Sequence, residues 1–246
     1  MTSDHSAGRA EPRGTSLADQ DETELGGPLS VLVRQKRDHV RLDELLHQLE
    51  ATSGEDQDRV LISLYRLVFP HAFAEESVLW PVIRRVLSDG EALTLQVEQE
   101  HQEVNELVTR LDGDDLGATE RRQLLERLVH VLREDVRDEE DTLLPGLQAK
   151  LTVRQLRQLG MAWEAVRRTA PTRPHPVVSR RPPGNALAAL PLTVLDNLRD
   201  ACEVVAQRSP ATSAPLTRAS RELARAAGWV EQRSLMRLGE RSTTSR

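Results

Sequence analysis

One pattern occurs twice in this chain and narrows the possible folds more than any other feature. The first copy reads His71-Ala-Phe-Ala-Glu75-Glu76-Ser-Val-Leu-Trp-Pro81, the second Asp135-Val-Arg-Asp-Glu139-Glu140-Asp-Thr-Leu-Leu-Pro145. Each puts a ligand-capable side chain four residues before a Glu-Glu pair, and a proline five residues after the second Glu. A histidine precedes each copy: His39 and His101 are 62 residues apart, His71 and Asp135 64 apart. Four residues is about one helical turn, so the first and fifth members of each copy share a face. The repeat describes one helical hairpin used twice.

The apolar residues fall at helical spacing around that repeat. A first helix is expected from Pro28 or Ser30 to Ala51, with Leu32, Gln35, His39, Leu42, Leu46 and Leu49 inward. A second, Asp56 to Leu79, turns Leu61, Leu64, Val68, His71, Glu75 and Val78 inward, and Pro70 should kink it. Pro81 opens a short continuation to Leu87. The third helix, Glu91 to Leu111, buries Val97, His101, Val104, Val108 and Leu111. The fourth, Thr119 to Leu144, buries Leu124, Leu128, Val131, Asp135, Glu139 and Thr142. Thr152 is placed to cap a fifth helix ending near Arg168. The expected fold class is all-α: an up-down-up-down four-helix bundle with additional C-terminal helices. Aromatic residues make up only 2% of the chain, and no alternating β-branched run competes with this reading.

The expected division is a disordered tail over 1–27, a bundle plus fifth helix over 28–170, a Pro-rich linker over 171–190 and a helical segment over 191–246. The last segment carries two amphipathic patterns, with Leu195, Leu198, Cys202 and Val205 on one and Leu223, Ala226 and Val230 on the other. His5 and His175 fall in segments expected to be flexible. The polar N-terminus lacks the apolar core of a secretory signal, no run is long enough to span a membrane, and the lone Cys202 suits a reducing compartment. A cytoplasmic location is expected, without a membrane partner. Charge is uneven: residues after Ala170 hold twelve Arg against six acids, within a chain of net charge −6. Arginines scattered along helices read as a solvated face, so nucleic acid is not an expected partner.

In each of the four main helices the Leu/Val stripe is interrupted at one level by His or acid. Together these are His39, His71, Glu75, His101, Asp135 and Glu139. Carboxylates without partners inside a bundle are costly, and a pair of di- or trivalent cations removes that cost. Helical bundles build dinuclear iron or manganese sites in this way, and the imidazole–carboxylate set suits iron, with manganese or zinc as alternatives. Glu76 and Glu140 read as solvated or as hydrogen-bond partners of ligand imidazoles rather than as ligands themselves. His47 lies two turns along the bundle from His39 and does not read as a ligand, His130 lies about 140° around the helix from Asp135, Trp80 reads as a core or cap residue, and Tyr65 lies about two turns before His71.

Residues 29–150 resemble the hemerythrin-like, HHE cation-binding domains. The resemblance rests on Asp38-His39, on His71-xxx-Glu75-Glu76 with Trp80-Pro81, on Glu100-His101, and on Glu139-Glu140-xx-Leu-Leu-Pro145. It implies a four-helix bundle around a non-haem di-iron centre, with His39 and His71 as terminal ligands of one iron. It also implies Glu75 and Glu139 as bridges and His101 as a terminal ligand of the other iron. The departure is Asp135, where the family usually has His, and Asn105 stands where oxygen-carrying members have a further His. Both changes argue against reversible oxygen carriage and leave open one metal or two.

Three functions follow as expectations. The first is an iron-binding protein that binds or senses a small oxidant (oxygen, peroxide or nitric oxide) or holds iron, with the C-terminal helices as a surface for a protein partner. The second is a di-iron enzyme acting on peroxide or nitric oxide. The third is a metal-free helical adaptor.

Overall fold

The computed structural model describes residues 14–113, 116–175, 184–208 and 213–232, and these contain no strand. Ser30 caps α1 (Val31–Ala51): its Oγ accepts the Leu32 N–H at 3.3 Å, satisfying a donor that the first turn leaves open. α2 (Gly54–Ala74) begins on Gly54 at φ +60°, a left-handed conformation glycine adopts without penalty, so two residues suffice to reverse the chain. Pro70 lies inside α2, which continues four residues beyond it. α3 (Trp80–Val86) follows, then α4 (Gly90–Leu111), α5 (Ala118–Asp138), α6 (Leu144–Lys150) and α7 (Val153–Arg167).

The two copies of the repeated pattern share a backbone irregularity. Glu75–Leu79 forms a wide π-helical turn in which the Trp80 N–H bonds the Glu75 carbonyl, five residues back. Glu139–Leu143 does the same, with the Leu144 N–H on the Glu139 carbonyl. Pro81 and Pro145 explain both turns. Neither has an N–H for the carbonyl four residues back, and each ring crowds that carbonyl, so the ladder opens just before the proline. The widened turns re-aim the Glu pairs that begin them.

The core identifies the bundle's topology. One apolar cluster holds Leu32, Val33, Leu79, Trp80, Ile83, Val97, Leu144, Leu147 and Trp163. A second holds Leu42, Leu46, Leu61, Leu64, Phe69, Val104, Val108, Leu128 and Leu132. α1 and α4 enter the first cluster and leave through the second; α2 and α5 run the other way. The helices therefore alternate up, down, up, down, and the six polar stripe residues lie at the level between the clusters. A capping box between Thr152 and Gln155 starts α7 as expected. Gly160 lets α7 press onto the start of α1: a Cβ there would stand 2.1 Å from the Leu29 carbonyl oxygen.

Two expectations are corrected. Residues 1–13 lie outside the described residues, but 14–27 are not a loose tail. Leu17 and Leu25 are fully buried, and the Lys36 ammonium donates to the carbonyls of Ala18 at 2.7 Å and Gln20 at 2.6 Å. Two leucines in a polar stretch are enough to anchor it against the bundle. The proposed linker is likewise not extended throughout. Residues 176–183 lie outside the description, while α8 (Gly184–Arg208) starts seven residues before the expected boundary and runs through Pro191. The run Ala186-Leu-Ala-Ala-Leu190 has helix propensity to spare for one missing hydrogen bond. α8 leaves Leu195 and Cys202 of its apolar stripe half-buried. It buries Leu192, Asp196 and Asp200, while Leu198 and Val205 stay exposed.

The reason is Arg173. It is buried, and its guanidinium bonds Asp200 at 2.7 and 2.9 Å, bonds Glu203, and lies over the Tyr65 ring. His175, expected in a flexible segment, has its Nε2 3.0 Å from Asp196 and donates its backbone N–H to Asn105 Oδ1 at 3.1 Å. α8 turns its acids inward because its docking partner is a cation. α9 (Ser213–Glu231) packs on α8, with Ala227 against Leu192. No helix among the described residues is long and apolar enough to cross a membrane.

Candidate metal centre

All six expected residues meet in the polar layer, and five are almost entirely buried, with His71 only slightly less so. His39, His71, Glu75 and Glu139 each offer one ligand atom, and these atoms lie within 4.8 Å of one another; so do those of His101, Asp135 and Glu139. Glu139 belongs to both groups. Glu75 also reaches across: its Oε1 is 3.0 Å from His71 Nε2 and its Oε2 3.7 Å from His101 Nε2. The widened turns thus deliver two glutamates between the two groups, one from each repeat.

The histidines are oriented alike. Each points Nε2 into the layer and gives Nδ1 to a carboxylate behind it: His39 to Glu140 at 2.9 Å, His71 to Asp38 at 3.1 Å, His101 to Glu76 at 2.9 Å. Such an acceptor holds the proton on Nδ1 and leaves the Nε2 lone pair facing inward, as a metal-binding imidazole requires. The pairing crosses the repeat: the second Glu of each copy serves the histidine upstream of the other. Aromatic rings fix two imidazoles further. Trp163 meets His71 edge-on at 5.4 Å, and Trp80 stacks on His101 at 6.4 Å.

Glu75 Oε2, Glu139 Oε1 and Asp135 Oδ1 face inward with no hydrogen-bond partner, while Glu75 Oε1 and His39 Nε2 meet only polar atoms of the layer itself, His71 Nε2 at 3.0 Å and Glu139 Oε2 at 3.2 Å. An unsatisfied buried polar atom costs about 1–3 kcal/mol, so three carboxylate oxygens at one level are hard to explain as packing. Ligands on one metal with bonds of about 2.1 Å stand at most about 4.2 Å apart. The observed spread is close to that, so small side-chain shifts bring the atoms onto an ion. The donor set, imidazole nitrogen and carboxylate oxygen, fits iron, manganese or zinc.

The metal-free layer is electrostatically tense. Burial disfavours a charged imidazole at His39, but bonds to Glu139 and Glu140 outweigh it and raise its pKa to about 9. Burial also opposes charge on His71, and Glu75 and Asp38 more than compensate, so it too titrates well above an ordinary imidazole. Burial, then repulsion from Glu139 and Glu100, pushes Asp135 well above the usual carboxylate range. Burial and repulsion from Glu139 also raise Glu75. Protons do in this layer what a cation would do better.

The sequence reading placed the six residues but gave no role to Asp38, Glu100 or Trp163. Asp38 was legible in principle: an acid precedes a histidine in both Asp38-His39 and Glu100-His101, and that repetition is the signal. Trp163 was not, because its contact depends on how α7 lies across the bundle. Tyr65 is buried against Phe69 and Arg173, within the second apolar cluster. His47 and His130 are exposed and away from the layer.

A helical bundle with such a layer belongs to the metal-binding helical proteins. The comparisons agree: residues 31–147 match the hemerythrin HHE cation-binding domain model, and this part of the chain is a hemerythrin-like domain. The chain is similar to an uncharacterised hemerythrin-like protein of Schizosaccharomyces pombe, 24% identical over 68% of this chain and 83% of the relative. It is also similar to a DNA nickase of a Nostoc species, 24% identical over 54% of this chain but only 37% of that protein. No solved structure gives a significant match.

Proposed function

We propose that the chain holds two non-haem iron ions and uses them to bind or sense a small oxidant: oxygen, peroxide or nitric oxide. His39 and His71 would hold one ion and His101 and Asp135 the other, with Glu75 and Glu139 between them. The carrying observation is the membership of Glu139 in both ligand groups, with Glu75 reaching from His71 to His101. A mononuclear site has no use for two carboxylates that face both ways. Iron, when bound, supplies a redox-active centre with a position for an exogenous ligand.

The surroundings limit what that ligand can be. A cavity of about 20 Å³ lies beside His39, His71, His101 and Asp135, walled by Leu42, Leu67, Val68, Leu132 and Val136. That is room for one water or a diatomic molecule.

A sensing role is favoured by a contact chain leading out of the layer. Asn105 Nδ2 donates to the His101 carbonyl at 2.8 Å, Asn105 Oδ1 accepts the His175 N–H, and His175 reaches Asp196 on α8. In this reading the residue that replaces a possible further ligand connects His101 to the C-terminal helices, which present the surface for a protein partner. The test is nitric oxide added without oxygen to the ferrous protein. An optical change on binding, with altered amide exchange in α8 that Asn105→Ala abolishes, is expected. Turnover of nitric oxide or peroxide by the loaded protein would favour the enzyme instead, and no spectral response would sink both.

A further inference from the structure

A ligand of the polar layer must cross the side of the bundle, and one stretch of that side is a single layer of side chains thick. The cavity of about 20 Å³ beside the polar layer has His39, Leu42, Leu132 and Val136 among its lining residues. The same four residues line a groove of about 600 Å³ on the outside, between α1 and α5. They form one wall with the groove on one face and the cavity on the other. The larger groove between α4 and α5, about 680 Å³, shares no lining residue with the cavity.

The four wall residues differ in how firmly they are held. His39, Leu42 and Leu132 are buried, whereas Val136 is half-buried at the margin of the second apolar cluster. His39 is fixed through both ring nitrogens, with Nδ1 2.9 Å from Glu140 and Nε2 3.2 Å from Glu139. Val136 stands one turn after Leu132 on α5 and is the member with room to turn. Rotamer changes of such side chains take picoseconds to nanoseconds, so the wall can open there without moving a helix. Apart from His39 the wall is aliphatic. A hydrated ion would lose its water in crossing it, so it suits small, weakly hydrated molecules, the class of oxygen and nitric oxide. The opposite edge of the cavity, at Asp38 and His71, is covered by α7: Trp163 meets His71 edge-on at 5.4 Å and Arg167 stands 3.5 Å from Asp38.

We propose that the groove between α1 and α5 is the entrance to the polar layer for a small neutral ligand, and that Val136 is its gate. This rests on the reading of the layer as the place where a small oxidant binds. A gate sets how fast a ligand passes in either direction and not how tightly it is held. Its kinetic signature is therefore one that a residue touching the bound ligand lacks.

The experiment is stopped-flow mixing of the full iron-loaded ferrous chain with nitric oxide in the absence of oxygen, following the optical change, with dissociation measured by trapping the released gas. Val136→Phe should slow association and dissociation alike, by about tenfold, and leave the affinity and the final spectrum unchanged. Val136→Ala should speed both by about threefold or more. Leu107→Phe, in the groove between α4 and α5, should change neither rate. Wild-type rates in both Val136 variants overturn the proposal while sparing the reading of the layer as an oxidant site. So does a change in dissociation alone, which would mean that Val136 touches the bound ligand. Slowing of both rates by Leu67→Phe, at the α2 edge of the cavity, would move the entrance there and overturn it as well. A wild-type protein without an optical response overturns the proposal together with the reading it rests on. If Val136→Phe does not fold, Val136→Ala, which adds no volume, decides.

Discussion

In the metal-free protein the imidazoles of the polar layer hold protons that an incoming cation must displace. The pKa of His39 is raised from 6.5 to about 9, so at pH 7 it is almost wholly protonated. Displacing that proton two pH units below its pKa costs about 2.7 kcal/mol, about a hundredfold in affinity. His71, also raised, adds a second proton of the same sign. The apparent affinity for Co(II) or Zn(II) should therefore climb by about one to two logarithmic units per pH unit between pH 6.5 and 8.5, and level off above pH 9. Isothermal titration in two buffers of different ionisation enthalpy should show at least about one proton released per chain at pH 7. The metal-free protein should respond in the opposite sense. A group with a raised folded-state pKa contributes stability that is full below its unfolded value and lost as pH rises through the folded one. The His39 contribution is thus present below pH 6.5 and gone above about 9. The raised Asp135 and Glu75 act in the same direction. The thermal midpoint of the metal-free chain should fall across that window while that of the loaded protein holds. Affinity independent of pH, with no proton release, would refute the claim that protons and cations compete for these atoms.

Three further outcomes follow from single substitutions. Asp135→His should restore the missing imidazole and tighten the second ion by about tenfold in equilibrium dialysis; weaker binding would mean that the oxygen ligands are preferred. Leu132→Phe should fill the 20 Å³ cavity and abolish the spectral response to nitric oxide or azide with metal content unchanged, at about 1–3 kcal/mol of overpacking. Arg173→Ala removes the guanidinium that gives Asp200, 2% exposed, two hydrogen bonds and leaves it Arg66 at 3.4 Å and the Thr172 hydroxyl at 3.0 Å, and should cost about 1–3 kcal/mol in α8 docking, read as faster proteolysis between α7 and α8.

The bundle was legible because its signals are local and periodic. Every inward residue named for α1 and α4 is buried, and the repeat placed His39, His71, Glu75, His101, Asp135 and Glu139 at one depth. The π-helical turns that aim Glu75 and Glu139 were half legible: the prolines were noted, and Pro81 was read as opening a short continuation, but neither was read as widening the turn before it. What the sequence hid were contacts fixed by tertiary arrangement. Leu17 and Leu25 sit in a composition that reads as disorder, and only the exposed base of the bundle gives them a place. The inward face of α8 stayed open because an apolar stripe competes with an acidic one. Which is buried depends on whether the docking surface offers aliphatic groups or a guanidinium, and Arg173 lies outside any periodic element.

The account stands on the claim that one carboxylate layer holds two cations. Metal analysis of the full chain, purified from iron-supplied cells and reloaded with Fe(II) without oxygen, tests this directly, together with the absorption spectrum after oxidation. About two irons per chain with near-ultraviolet charge-transfer bands is the expected result, reduced in the Glu139→Ala variant at both positions rather than one. A chain that retains no iron under these conditions, while its helical content and melting remain intact, would contradict the account and leave the bundle as a metal-free scaffold.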